Sequence, residues 1–325
     1  MASVLARLPL RAPSDLVIKI DSTLRGNVGP ALSAAHERFP EAIVLVAPSL
    51  PAQGRTLRDG VLSVHGKRTR VVAPQDRLPL AVVRAGVAAV TQEIAAFRAR
   101  GIWCAWADAE SDDDLHTLVA GGCVRSDVLW IGSTGIIRAI ARATTGSQTS
   151  RARCDERTEP SMHHRVLFLI GSLHDVARSQ IAAFARNVPT EILDPHAILR
   201  HDPEIEAAIA RTARALRDGG AALVALAATP HVADPRLRAA FVAACTPLAA
   251  DAANLAVVLC GGETARAFCD AFALRSLEPI DEIVPGMPRL QAANVAFHLV
   301  TKAGGFGEPN AFEHVRRILT GKATA

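Results

Sequence analysis

The sequence contains no tyrosine, and aromatic residues of all kinds make up 4% of its 325 positions. Lysine is nearly as scarce: only Lys19, Lys67, Lys302 and Lys322 are lysines among 36 basic residues, the others all being arginine. With alanine abundant, this pattern reads as a coding bias toward Arg and Ala. Against such a bias a retained lysine carries information, because a compact ammonium does work that a planar guanidinium does not. No basic run is interleaved with aromatics, and the net charge of +4 is scattered, which argues against a nucleic-acid partner. The longest uninterrupted apolar run, Ala221 to Ala228, is far short of the roughly 20 residues that span a bilayer. No membrane partner is therefore expected. The opening MASVLARLPLRA has Arg7 inside its apolar stretch and no clear cleavage site, so it does not read as a secretory signal, and a cytoplasmic location is expected.

Familiar chemical signatures are missing too. The six cysteines (Cys104, Cys123, Cys154, Cys245, Cys260, Cys269) form no CxxC pair, so neither a zinc site nor a disulfide framework is expected. There is no GxxxxGK[ST], no GxGxxG and no HExxH. His196 and His201 are not at helical i, i+4 spacing, and Pro195 and Pro203 bracket them, so no histidine metal site is expected. Ser172, His174 and Asp175 name a hydrolase triad, but no GxSxG elbow accompanies them.

What is present is a regular alternation. Short β-branched runs at Leu16–Ile20, Ala42–Ala47, Trp103–Ala107, Val128–Ile131, Val166–Ile170, Ala222–Ala227, Leu255–Cys260 and Ala296–Thr301 read as strands. Between them, segments such as Val87–Ala99, Ala177–Ala185, Glu204–Leu216 and Arg236–Ala249 carry helical patterns. This predicts an α/β fold of two domains with largely parallel sheets. A polar stretch without either hydrophobic period lies near mid-chain. It predicts a first domain over 1–145, a linker over 146–164 and a second domain over 165–325. The segment VLSVHGKRTR predicts a hairpin turning at His65–Gly66.

Polar and glycine-rich segments follow the strands, where ligands of α/β sheets bind. KIDSTLRGN offers Lys19, Asp21, Ser22, Arg25 and Asn27 within one strand-to-helix loop. Arg suits a carboxylate, while Asp and Asn suit sugar hydroxyls. The alternative for this loop is that Asp21 or Ser22 merely caps the next helix. PSLPAQGRT is a stiff loop presenting Arg55. Cys260-Gly261-Gly262-Glu263-Thr264 precedes a helix, where free amides and the helix dipole favour an anion such as phosphate; a plain glycine turn with Thr264 as N-cap is the alternative. Lys302-Ala303-Gly304-Gly305-Phe306-Gly307 offers a backbone that can wrap a nucleotide and an ammonium that can reach phosphate. Ile170-Gly171-Ser172 adds a hydroxyl, and the helix after it carries Gln180.

In this order, KIDSTLRGN, PSLPAQGRT with VHG, IGS, GGET, PGMP (Pro285–Pro288) and KAGGFG resemble the four-carbon acid sugar kinase family, from about Asp15 to about Leu319. The resemblance implies an N-terminal acid-sugar-binding domain, a C-terminal nucleotide-binding domain and a cleft between them. It implies transfer of the γ-phosphoryl group of ATP, with Mg²⁺ assumed, to the terminal hydroxyl of a threonate, erythronate or 3-oxo-tetronate. By that resemblance Lys19, Asp21, Ser22, Arg25, Asn27 and Arg55 face the acid sugar, with Asp21 as candidate base. Ser172, Gly261, Gly262, Glu263, Thr264, Lys302, Gly304 and Gly305 hold ATP, and a homo-oligomer stays open. Family members carry an ADDLTGA-like strand well upstream of the KIDST segment, whereas only residues 1–18 precede Lys19 here. The second expectation is accordingly a truncated, catalytically impaired homologue that binds nucleotide only.

Overall fold

The computed structural model describes residues 2–69, 82–83, 87–122, 126–145, 165–229, 234–250 and 254–321. The expected linker at 146–164, together with Cys123 and Cys154, lies outside them. The chain divides into two compact units, Met1–Ala152 and Arg153–Ala325.

In the first unit, α1 (Ala2–Leu5) precedes β1 (Val17–Lys19), α2 (Val28–Arg38) and β2 (Ile43–Ala47). The hairpin strands β3 (Arg55–Arg58), β4 (Val61–Val64) and β5 (Lys67–Arg68) follow. The chain continues through β6 (Val82–Val83), α3 (Val87–Ala99), β7 (Cys104–Ala107), α4 (Asp112–Gly122), β8 (Val128–Gly132) and α5 (Thr134–Thr145). The main sheet runs β1-β8-β2-β7-β6, every pair parallel. Strands β2, β7 and β8 are buried on both faces, which is why they read as continuous apolar runs rather than alternating ones. Leu32 and Ala35 of α2 cover one face with Val44 and Ile131. Ile94, Leu118 and Ile136 cover the other with Leu45 and Trp130.

β3, β4 and β5 form a small antiparallel sheet. Its second turn lies at His65 (φ 48°) and Gly66 (φ 75°), with Val64 paired to Lys67. Two consecutive left-handed residues give the turn whose twist matches the flanking strands.

The second unit contains β9 (Arg165–Ile170), α6 (Asp175–Phe184), β10 (Thr190–Leu193), α7 (Pro195–Leu199), α8 (Pro203–Gly219) and β11 (Ala221–Leu226). Next come α9 (Leu237–Cys245), α10 (Pro247–Ala250), β12 (Leu255–Cys260), α11 (Gly262–Ala271), β13 (Glu278–Val284), β14 (Met287–Gln291), β15 (His298–Lys302) and α12 (Ala311–Thr320). The sheet order is β10-β11-β9-β12-β15-β14-β13. The first five strands are parallel, and β14 and β13 continue the sheet antiparallel. Helices α8, α9 and α11 pack on one face, through Ile209, Phe241 and Phe268. Helices α6 and α12 pack on the other, through Phe184 and Phe312.

After β9 the chain turns outward to β10, and after β12 it turns the opposite way, to β13 and back through β14 to β15. The carboxyl ends of β9 and β12 therefore flank a topological switch point, where connecting loops diverge and leave a crevice.

Two details depart from the sequence reading. The helix expected over Arg236–Ala249 is two helices, α9 and α10, because Pro247 has no N–H to give the Ala243 carbonyl. Strands β13 and β14, joined at Pro285–Gly286 with Gly286 at φ 83°, were not expected. Pro279 lies on the edge strand β13 and Pro288 on β14 just ahead of its pairing with β15, and with their charged neighbours they hide the strand pattern.

Candidate functional site

In the second unit, the segments after β9, β12 and β15 meet. A Cβ placed on Gly304 would lie 1.9 Å from Ser172 Oγ, and one on Gly171 would lie 2.2 Å from Thr264 Oγ1. A Cβ on Gly261, at φ +110°, would sit 3.3 Å from both the Ser172 side chain and Thr264 Oγ1. On Gly305 it would be 2.9 Å from His174 Nε2. Ser172, Gly261, Thr264, Gly304 and Gly305 thus come together around one point at the switch, and glycine is needed where their backbones touch.

The helix start beside them is left open. Gly261 is the N-cap of α11 and offers no side chain to its amides, so the first-turn N–H groups and the positive end of the helix dipole face outward. Thr264 is not the cap. Its side chain is 1% exposed and its hydroxyl has no hydrogen-bond partner, an arrangement that costs free energy unless a ligand completes it. By contrast, α6 is closed: His174 Nδ1 accepts the Val176 N–H at 3.2 Å. Gly262 has nothing within 4 Å of its missing Cβ, and Glu263 is exposed. From Gly262 and Glu263 a groove of about 930 Å³ runs between α9 and α11, past Leu237, Arg238, Ala243 and Ala267.

Lys302 is placed differently from expectation. Instead of reaching outward, its Nζ donates to the carbonyls of Ala303 (2.9 Å) and Gly304 (3.4 Å) and to Cys260 Sγ (3.7 Å), over the Phe312 ring. Burial pushes its pKa down, opposed by the Cys260 sulfur, while burial pushes the Cys260 thiol up. The physical reason is reach: the strand register directs the side chain inward beneath the loop, where carbonyl oxygens are the available acceptors. Gln180 braces the other half of the same loop, Nε2 donating to the carbonyls of Phe306, Gly307 and Glu308 at 2.9–3.0 Å.

In the first unit, the KIDST loop folds on Asp21. Its carboxylate accepts the Thr23 N–H (2.9 Å), the Thr23 hydroxyl, and Arg25 Nε and Nη2 (both 3.3 Å). Burial pushes Asp21 up, but the hydrogen bonds from Arg25 and Thr23 outweigh it and hold the pKa at about 2. Asp21 is thereby held ionised by its own loop. It does not cap the next helix, whose N-cap is Asn27, exposed and without a side-chain bond. Ser22 is buried, and Lys19 is exposed with Nζ on the Ile20 carbonyl at 2.9 Å. Arg55 is buried, with Nη1 donating to the Gln53 carbonyl. Burial lowers its pKa, the Asp21 charge raises it and the Arg25 charge lowers it again. Asp21, Arg25 and Arg55 therefore share one electrostatic neighbourhood. The hairpin tip closes on the same loop, His65 N–H donating to the Gly54 carbonyl at 2.7 Å.

Three buried polar residues at strand ends were missed. Ser133 Oγ donates to the Ser49 carbonyl (2.7 Å), and Ser49 Oγ donates to the Ala109 carbonyl (2.9 Å), tying together the ends of β8, β2 and β7. Asp108 accepts the amides of Asp59 (2.5 Å) and Gly60 (3.1 Å) and fixes the hairpin. The available signal was a small polar residue directly after an apolar strand. Among the described residues no group of His, Cys, Asp and Glu could hold a metal ion, and no helix is long and apolar enough to cross a membrane.

Comparison with known proteins adds to this geometry. The family model of the sugar-binding N-terminal domain matches residues 3–73 and 69–140, and that of the nucleotide-binding C-terminal domain matches residues 167–312. The D-threonate kinase of Cupriavidus necator is 30% identical, over 93% of this chain and 79% of its own. The 3-oxo-tetronate kinase of Burkholderia multivorans is 28% identical, over 93% and 78%. Among solved structures, the Haemophilus influenzae protein HI1011 superposes with a TM-score of 0.60 at 21% identity, covering 93% of this chain and 81% of that one, a likeness of fold. With both domain models matched across the two α/β units, the chain is a kinase and belongs to the four-carbon acid sugar kinase family.

Proposed function

We propose that the protein transfers the γ-phosphoryl group of ATP to the terminal hydroxyl of a four-carbon acid sugar of the threonate, erythronate or 3-oxo-tetronate type. The observation that carries this reading is the meeting of Ser172, Gly261, Thr264 and Gly304 beside the open amides of α11. Such a cradle admits phosphate oxygens to backbone N–H groups and offers the orphaned Thr264 hydroxyl a partner. The residues present fit a nucleotide's phosphates. Mg²⁺ fits in its usual manner, held largely by phosphate oxygens and water, and when bound it would neutralise charge on the transferred group.

Phosphoryl transfer asks the protein for positioning and charge stabilisation more than for covalent chemistry. In this reading Ser172, the Gly261–Thr264 amides and the Gly304–Gly305 turn hold the phosphates, while Lys302 and Gln180 keep the last loop in shape. Arg25 and Arg55 hold the substrate carboxylate, a charge-assisted contact contributing about 1.5–3 kcal/mol each. Asp21 orients Arg25, and Ser22, Asn27 and Lys19 serve the sugar hydroxyls. The hydroxyl oxygen forms the new bond to phosphorus, the bond to the β-phosphate oxygen breaks, and the hydroxyl proton is released. The sugar-binding match across the first unit favours this over a protein that binds nucleotide alone.

The test is ADP release with D-threonate, D-erythronate and a 3-oxo-tetronate, each against a no-acceptor control. Acceptor-dependent ADP is expected with at least one of them. If ATP raises the melting temperature yet none yields ADP, transfer to this substrate class is refuted and the nucleotide-only reading takes its place.

A further inference from the structure

With Lys302 turned onto loop carbonyls, the nucleotide reading lacks a cation at the phosphates, and Arg238 stands where one is needed. It lies on the first turn of α9, carried to the head of α11 because the β11-to-β12 connection crosses the same face of the sheet. Arg238 Cδ is 3.4 Å from the point a Gly171 Cβ would occupy, the same point that lies 2.2 Å from the orphaned Thr264 Oγ1. The guanidinium is therefore brought beside the glycine cradle, at the head of the α9–α11 groove.

Its present partner is weak. Arg238 Nε is 3.4 Å from Glu263 Oε2, and the Glu263 side chain is 81% exposed against 22% for Arg238. An ion pair so open to water contributes little. The other acidic and basic groups nearby are matched elsewhere: Asp234 with Arg236 at 2.7 Å, and Arg266 with Asp270 at 3.1 Å. Arg238 is thus half-buried, held in place by packing, and coupled to an acceptor it can leave at small cost.

We propose that Arg238 contacts the phosphates of the bound nucleotide, exchanging the Glu263 carboxylate for phosphate oxygens. This rests on the nucleotide reading above and adds to it a residue outside every glycine motif. A guanidinium presents two parallel N–H groups to a phosphate, which an ammonium does not.

The experiment measures binding of ATP, ADP, AMP and adenosine by calorimetry to the wild type, Arg238→Gln and Arg238→Lys, with circular dichroism confirming the fold. Arg238→Gln is expected to weaken ATP and ADP by about 10- to 100-fold and adenosine by less than about twofold. Arg238→Lys, which keeps the charge, is expected to show a smaller loss graded in the same way with phosphate number. An equal loss for adenosine and ATP would make the role purely structural and overturn the proposal, as would ATP affinity within about twofold of wild type. If Arg238→Gln does not fold, the gradation in Arg238→Lys decides by the same criterion. A wild type that binds ATP while both variants bind it normally removes Arg238 alone. A wild type that binds no nucleotide removes the reading beneath it as well.

Discussion

Replacing Gln180 by glutamate, the substitution closest to it in shape, is expected to harm the protein more than replacing it by leucine. Gln180 has no exposed surface, and its Nε2 donates to three carbonyls in the Phe306–Glu308 turn. Two amide protons are shared among those acceptors. At about 0.5–1.5 kcal/mol net per hydrogen bond, the amide contributes roughly 1–3 kcal/mol. Against this, Gln180 Oε1 is buried with no partner, so leucine removes a desolvated acceptor along with the donors. Gln180→Leu should therefore cost only about 1 kcal/mol. Gln180→Glu instead aims a carboxyl group at three carbonyl oxygens. It must stay protonated to donate at all, and holding a group of ordinary pKa near 4.3 neutral at pH 7 costs about 4 kcal/mol, falling to about 1 kcal/mol at pH 5. The sign follows from the raised folded-state pKa: the variant is least impaired below the unfolded pKa and loses stability as pH rises above it. Urea denaturation of wild type and both variants at pH 5 and pH 7 provides the test. A glutamate variant no less stable than the leucine variant at pH 7, or equally impaired at both pH values, would refute the donor role assigned to Gln180.

Gly304→Ala should cost more than about 1 kcal/mol and abolish stabilisation by ATP, because its Cβ would fall 1.9 Å from Ser172 Oγ. Gly262→Ala, with nothing within 4 Å of the added carbon, should raise thermal stability by about 0.5 kcal/mol as a helix-favouring change; a loss there would contradict the space assigned to it. Asp108→Ala removes the acceptor of the Asp59 and Gly60 amides and should cost about 1.5–3 kcal/mol in thermal melts, with an unchanged melting temperature counting against its role in holding the hairpin. Asp21, held at about 2, contributes stability that is present above its unfolded pKa of 3.8 and lost as pH falls toward 2. Arg25→Ala should flatten that acid limb, and an unchanged slope would show that Arg25 does not set the Asp21 pKa.

The central strands were readable because they are buried on both faces, so β2, β8, β9 and β12 appear as near-continuous apolar runs. The β4–β5 turn was readable because His65–Gly66 separates two short strands by two residues. β13 and β14 were not: β13 is an exposed edge strand that needs no buried stripe, and on β14 the alternate buried positions are Met287 and Arg289, broken by Pro288, which do not read as an apolar alternation. The glycine motifs announced a close backbone approach, and the structure shows which glycines make it: Gly171, Gly261 and Gly304 lie against side chains, whereas Gly262 does not. Which side chain fills the space was beyond the sequence, because Thr264 and Gly171 meet only through the pairing of β9 with β12. Ser49, Ser133 and Asp108 were hidden for the same reason: each acts on a backbone 48 or more residues away.

The scarcity of lysine pointed to the right residue for a different reason. A lysine kept among so many arginines implies work for a point cation, and Lys302 does such work, its ammonium serving two carbonyls and a sulfur from a buried position. A guanidinium is too broad and too rigid for those acceptors at that depth. Burial lowers the Lys302 pKa, opposed by the Cys260 sulfur, and the bonds to the Ala303 and Gly304 carbonyls keep the ammonium turned into the loop. Recognition of a tetrahedral phosphate, two of whose oxygens accept side by side, asks for the opposite geometry, a half-buried fork with one side toward water. An arginine meets that need, and in an arginine-rich chain its identity is invisible from composition. Division of labour between an inward Lys302 and an outward Arg238 therefore explains both why the rare residue stands in the glycine motif and why the proposed contact residue stands outside it.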